Sequence, residues 1–151
     1  MKVHKIAAAV ALLVGVSLPA FGAEHATKDE AMAMVKKAVA MINEAGPEKA
    51  YAEIDKKDGQ FRDRDLYVVV YSLSGKVLAH GANAKLIGKD MINAQDVDGV
   101  YYVKDRVALA AKKADFWQDY KFVNPVTKKI APKEMFCHPM NDYAVCAGVY
   151  K

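Results

Sequence analysis

Apolar side chains at Met34, Val35, Ala38, Met41, Ile42 and Ala45 keep to one helical face, behind a T-x-x-E capping box made by Thr27 and Glu30. Met32, Met34 and Met41 at that spacing read as core rather than as a soft-metal surface. Gly46-Pro47 interrupts the pattern, and proline at N1 starts a second short helix over 47–57. The period then changes to two. "DLYVVVYSLSGKVLAHG" predicts a hairpin with strands near 65–71 and 76–80, and a four-residue "SLSG" loop would set Tyr71 opposite Lys76, Val69 opposite Leu78 and Tyr67 opposite His80. Residues 81–99 are polar and punctuated by glycine, which predicts a long covering loop; its "DVDG" run is turn chemistry, because the later ligands of a calcium loop are missing. Residues 100–113 place Val100, Val103, Val107 and Ala110/Ala111 on one helical stripe. Three strand-like segments follow, 116–123, 131–140 and 143–150, joined by "NPVTKK" and by Asn141-Asp142. No internal repeat interrupts this order. It predicts one α+β domain, five antiparallel strands with helices against one side and the long loop and middle helix roofing a concave face.

Composition changes the picture at the N-terminus. "MKVHK" followed by "IAAAVALLVGVSLPAF" has the basic and apolar regions of a signal peptide, so residues 1–22 are expected to be removed and 23–151 to form the domain. The alternative is a retained anchor, although the apolar run is shorter than the roughly 20 residues a spanning helix needs. The chain carries 22 basic and 18 acidic side chains; losing Lys2 and Lys5 with the leader brings the balance to about +2. Charges are interspersed, so a nucleic-acid partner is not expected.

Export gives the two cysteines an oxidising compartment. In "FCHPMNDYAVC" a two-residue Asn141-Asp142 turn pairs Met140 with Tyr143, Pro139 with Ala144, His138 with Val145 and Cys137 with Cys146. Proline and the cysteines then occupy non-hydrogen-bonded positions, where proline loses no ladder bond and the two Cβ atoms come closest. A disulfide between Cys137 and Cys146 is the first reading. Two reduced core cysteines, or a redox or metal role, are the others. No C-x-x-C-H, zinc spacing, G-x-S-x-G, H-E-x-x-H or phosphate loop is present, and the serines are Ser17 in the leader and Ser72 and Ser74 in a turn. No enzyme activity, cofactor or metal is expected.

Three blocks in order, "LYVVVYSLSGKVLAHGANAKLIGKDMINAQDVDG", "YKFVNPVTKKIAPKEMFC" and the terminal "AGVYK", resemble the single Cache domain of type 2, a PAS-like extracellular sensor module of bacterial receptors. The resemblance covers about residues 27–151. It implies a long N-terminal helix on a five-stranded antiparallel sheet, a small ligand such as an organic acid, and a usual place between two transmembrane helices of a chemoreceptor or histidine kinase, an arrangement from which this sequence departs. Because the sequence runs to Lys151 with no output segment after the last strand, the expectation is a periplasmic binder that acts through a separate membrane partner in chemotaxis or related signalling.

A small anion needs a few converging donors in an apolar wall. Tyr67 and His80 offer one pair at the end of the hairpin; the alternative for His80 is an exposed or internally satisfied strand-end histidine. Trp117 and Tyr120 lie on opposite faces of one strand, so strict alternation turns only one of them to the ligand. Lys133 and Met135 share the face of Cys137, Cys146 and Gly148, and Lys133 matches the lysine of the family's P-K-x-x-Y/F block, here "PKEMF"; a plain surface lysine is the alternative. Tyr101 and Tyr102 either close the roof or sit on the surface. The rival to a ligand binder is an interaction module that docks on a membrane sensor, or pairs with itself as a homodimer through its N-terminal helix, with its cavity filled by its own side chains.

Overall fold

The computed structural model describes residues 25–151, so the signal-peptide assignment for 1–22 lies outside the described residues. Thr27 caps the first helix, α1 (Lys28–Ala45), as its sequence predicts: its hydroxyl accepts the Glu30 N–H while the Glu30 carboxylate accepts the Thr27 N–H. Ala31, Val35, Ala38 and Ile42 form the buried face, and Met32, Met34 and Met41 pack half-buried beside them. Ala45, expected on that face, is exposed at the helix end. Pro47 opens α2 (Pro47–Ile54), which stops three residues short of the predicted end.

The strands are β1 (Arg62–Asp63), β2 (Leu66–Ser72), β3 (Val77–His80), β4 (Phe116–Val123), β5 (Ile130–Met140) and β6 (Tyr143–Tyr150). Their order is β1-β2-β6-β5-β4, with β3 also on β2, and every pairing is antiparallel. Five of them are the predicted strands; the two-residue β1 extends the edge of β2. Alternation sorts the sheet into two faces. Val68, Val70, Val145, Ala147 and Val149 pack under α1 and α2. Tyr67, Val69, Tyr71, Met135, Cys137, Cys146 and Tyr150 face the other way, under α3 (Tyr102–Ala110) and the long loop.

The β5–β6 hairpin has the predicted register, Cys137 opposite Cys146 and Pro139 opposite Ala144. Asn141 takes the left-handed conformation that the tight turn requires, φ 44°. The cysteines are bridged, with Cα atoms 4.2 Å apart, and closing so short a loop contributes about 2–3 kcal/mol.

The β2–β3 register differs from expectation. Val69 faces His80, Val70 faces Ala79 and Tyr71 faces Val77, with a bulge between Val70 and Tyr71. The predicted pairs Tyr71–Lys76, Val69–Leu78 and Tyr67–His80 do not form. Lys76 pairs instead with Asp90, and Val77 exchanges backbone bonds with Gly88 and Lys89, so the covering loop holds this end of β3. The bulge breaks the alternation. Leu78 and Ala79 both turn to the α1 side, and His80 returns to the side of Tyr67.

The loop from Gly81 to Tyr101 lies over the second face through Ala82, Leu86, Met91 and Ala94. Asp96 organises its "DVDG" turn: Oδ1 accepts the N–H groups of Asp98 and Val100, and Oδ2 accepts that of Lys121 on β4. α3 is shorter than the predicted 100–113. Tyr102, Val103, Arg106 and Ala110 are its buried stripe, Val107 is half-buried and Ala111 exposed.

Candidate functional site

Lys133 stands at the centre of the second face. Its backbone pairs with Tyr120 on one side and Tyr150 on the other, so the register alone sets a tyrosine, a lysine and a tyrosine in one row across three strands. The side-chain nitrogen is fully buried, 4.0 Å from the Tyr67 ring centroid and 4.6 Å from that of Tyr150, and it donates to the Tyr150 hydroxyl at 3.4 Å. That hydroxyl donates to Val123 O at 2.8 Å and lies 3.3 Å from the Tyr67 hydroxyl. Burial, then the charge of Arg106, holds the Lys133 amine well below the ordinary ammonium range.

Gly148 makes room for this side chain. A Cβ there would stand 2.6 Å from Lys133 Cε, 2.9 Å from Glu134 O and 3.1 Å from Met135 Cα. Two of those three neighbours are backbone and cannot yield cheaply. Gly148→Ala is therefore expected to lower stability by about 1–3 kcal/mol, read as a lower denaturation midpoint with the cysteines still bridged.

The sequence reading did not single out Arg106, which is fully buried. Its guanidinium carbon lies 4.8 Å over Tyr71, 4.9 Å over Tyr120 and 5.6 Å over Tyr102. Nε donates to Gln118 Oε1 at 2.9 Å, and Gln118 is oriented in turn by donating to Tyr102 O at 2.8 Å. Both Nη atoms are buried and meet no hydrogen-bond partner among the described residues. A signal existed: position 106 lies three residues after Val103 and four before Ala110, inside the helix's apolar stripe.

The predicted residues divide as follows. Tyr67, Tyr120, Lys133 and Met135 are buried together on this face, and the Tyr120 hydroxyl donates to Met135 Sδ at 3.9 Å. His80 joins them, its ring stacked on Tyr67 with centroids 5.0 Å apart. Trp117 does not. It packs on Phe136 at 5.3 Å and under Lys28 on the α1 side, because alternation from Gln118 and Tyr120 turns it away, and it drops out of the site. Of the two roof tyrosines, Tyr102 is buried against Tyr120, while Tyr101 is exposed.

A cavity of about 530 Å3 opens between the covering loop and the β4–β5 turn. Tyr67, His80, Leu86, Met91 and Phe122 wall it, with Lys85 and Lys128 at the rim. This is within the size range of small-molecule sites. Tyr67 and Phe122 belong both to the cavity wall and to the surroundings of Lys133, so the lysine lies directly behind that wall.

A family model described as "Single Cache domain 2" matches residues 21–150. Among solved structures, a Cache chemosensory domain studied for carboxylic acid recognition superimposes with a TM-score of 0.71 and 22% identity, covering 81% of this chain and 91% of that one. A methyl-accepting chemotaxis protein from Vibrio parahaemolyticus RIMD 2210633 gives 0.68 at 20% identity, covering 82% and 87%. The periplasmic sensor domain of a chemotaxis protein gives 0.61 at 20% identity, covering 81% and 88%. None of the curated proteins matches the chain. At these identities the structural likenesses speak for the fold.

Proposed function

The chain belongs to the Single Cache domain 2 family, and on that premise we propose that it is an exported sensor module that binds a small carboxylate and signals through a separate membrane protein. One observation carries the reading. Arg106 and Lys133 are buried on the same face, and neither has an acidic hydrogen-bond or ion-pair partner among the described residues. Buried charge is ordinarily paired, because leaving water costs several kcal/mol per ion. A ligand carboxylate supplies the missing charge: it accepts from both Nη groups of Arg106 in the bidentate geometry that guanidinium favours, and it lies within the field of Lys133. The carboxylic acid recognition described for one structural neighbour agrees with this chemistry. A chemoreceptor or histidine kinase in the membrane is the partner that fits such a module, and the N-terminal leader is the route to the periplasm.

The test is a denaturation screen of the full-length mature protein against small mono- and dicarboxylates at millimolar concentration. A ligand at 100 times its dissociation constant stabilises by about 2.7 kcal/mol, a shift of several degrees for a domain of this size. If the protein unfolds cooperatively and no acid moves its midpoint, the carboxylate reading is wrong. The docking-module reading would then stand, resting on the exposed Val97, Val123, Val126 and Ile130 around the β4–β5 end of the sheet.

A further inference from the structure

His80 specifies more about the ligand than its carboxylate, given the anion site above. Its Nδ1 accepts the N–H groups of Ala82 at 3.1 Å and Asn83 at 2.9 Å. An atom that accepts twice carries no proton, so the ring proton is on Nε2. The backbone N–H of His80 donates to Asp55 Oδ1 at 2.8 Å and the ring stacks on Tyr67, so the imidazole is held from three directions. Burial first, and the charge of Lys133 second, push its pKa down to about 3. The ring is therefore neutral near pH 7. Although His80 is only 3% exposed, Nε2 has no partner among the described residues, and the residue lines the 530 Å3 cavity. The remaining lining residues include Lys85 and Lys128 but neither aspartate nor glutamate. A ligand ammonium would meet cations and a fixed donor; a ligand oxygen would meet what it needs.

We propose that His80 determines specificity: its Nε2–H donates to an acceptor oxygen at the far end of the ligand, so the module takes dicarboxylic acids over monocarboxylic acids and rejects amino acids. The inference rests on the carboxylate reading but can fail without it. Lys85 and Lys128 add attraction for the second carboxylate at the rim, salt-dependent as for any exposed charge. A hydrogen bond from a neutral donor to a charged acceptor gives about 10- to 100-fold in affinity.

The experiment compares each dicarboxylate with the monocarboxylate of equal carbon number, malonate with propionate, succinate with butyrate and glutarate with valerate, together with aspartate and glutamate, by calorimetry on the full-length mature protein. The expected result is a preference of about 10- to 100-fold for the best dicarboxylate over its partner, constant between pH 6.5 and 8.5, with the amino acids at least as weak as the monocarboxylates. His80→Asn places its Oδ1 where Nδ1 stood, able to accept from Ala82 and Asn83, and removes the Nε2 donor. His80→Gln keeps a donor near Nε2 and gives up the loop contact. The Asn variant should lose the preference while its denaturation midpoint shows that the loop is kept, and the Gln variant should retain part of it. Equal binding within each pair, aspartate binding as tightly as succinate, a preference that fades as pH rises through 6.5, or an Asn variant that keeps the preference each overturns the role of His80 while the carboxylate site stands. If no acid in the panel binds, the carboxylate reading falls and this one with it.

Discussion

Replacing Arg106 with methionine is expected to cost the ligand-free protein no more than about 1 kcal/mol of stability, and to abolish its stabilisation by every carboxylate. The first half runs against the usual rule that breaking buried polar contacts is severe. The guanidinium is fully buried, and two of its three nitrogens have no partner among the described residues. Each orphaned donor costs about 1–3 kcal/mol, on top of several kcal/mol for taking the charge out of water. In the other direction stand the faces of Tyr71, Tyr102 and Tyr120, each contributing roughly 0.5–2 kcal/mol, and one charge-assisted bond to Gln118 of about 1.5–3 kcal/mol. The two sides nearly cancel. Methionine removes the charge and both orphaned donors, fills similar volume and keeps an aromatic contact through sulfur. The midpoint should fall by no more than the equivalent of about 1 kcal/mol, the cost of leaving Gln118 Oε1 without its donor. Chemical denaturation with and without the best carboxylate of the screen measures both halves. A variant that loses more than about 3 kcal/mol while still binding acids would show that Arg106 is part of the scaffold rather than the anchor of the ligand.

How far the sequence could be read depended on whether local signals set the geometry. The β5–β6 hairpin was legible residue by residue because a tight Asn-Asp turn fixes register, and a proline and two cysteines each independently fit the non-hydrogen-bonded positions. The α1 capping box was legible because its bonds span three residues. The β2–β3 hairpin was not, because its bulge comes with the segment 88–90, whose pairing to Lys76 and Val77 is a tertiary contact without a local mark. That same bulge turns His80 toward Tyr67, so the two side chains meet as expected although the register that led to the expectation does not form. Trp117 and Tyr120 could not be separated by alternation alone, since alternation divides faces without saying which is which; the pairing of Tyr120 with Lys133 decides it. Arg106 was passed over because charge normally marks the solvent side of a helix. Here the polar residue that breaks the apolar stripe is the strongest pointer to the candidate site.

Lys133→Met is expected to remove a pH dependence that the wild-type protein shows as pH approaches the ordinary lysine pKa of about 10.4 from below. The groups around the amine are Tyr67 of β2, Tyr120 of β4, Tyr150 of β6 and Arg106 of α3, with His80 of β3 beyond Tyr67 and Asp65, at the start of β2, a distant acid. Burial and the Arg106 charge lower its pKa, and Asp65 opposes them weakly. In the unfolded chain the same amine titrates near its ordinary value of about 10.4. Between the two values the unfolded chain holds a proton that the folded chain does not, so the stability of the ligand-free protein rises with pH, by up to about 1.4 kcal/mol per unit. Above about pH 10 the rise reverses, because burial holds Tyr67 and Tyr120 protonated in the fold while the unfolded chain ionises them. The methionine variant lacks the lysine contribution. Its advantage over wild type should narrow as pH rises toward about 10. Ligand binding reverses the protonation: a carboxylate beside Lys133 restores the ammonium, so binding takes up as much as one proton and affinity falls by up to tenfold per pH unit in this window. Calorimetry in buffers of different ionisation enthalpy reads that proton directly, and the uptake should vanish in Lys133→Met. Heats independent of buffer, together with parallel pH profiles for the two proteins, would mean that Lys133 stays charged in the empty site, its field already balanced by the tyrosines around it.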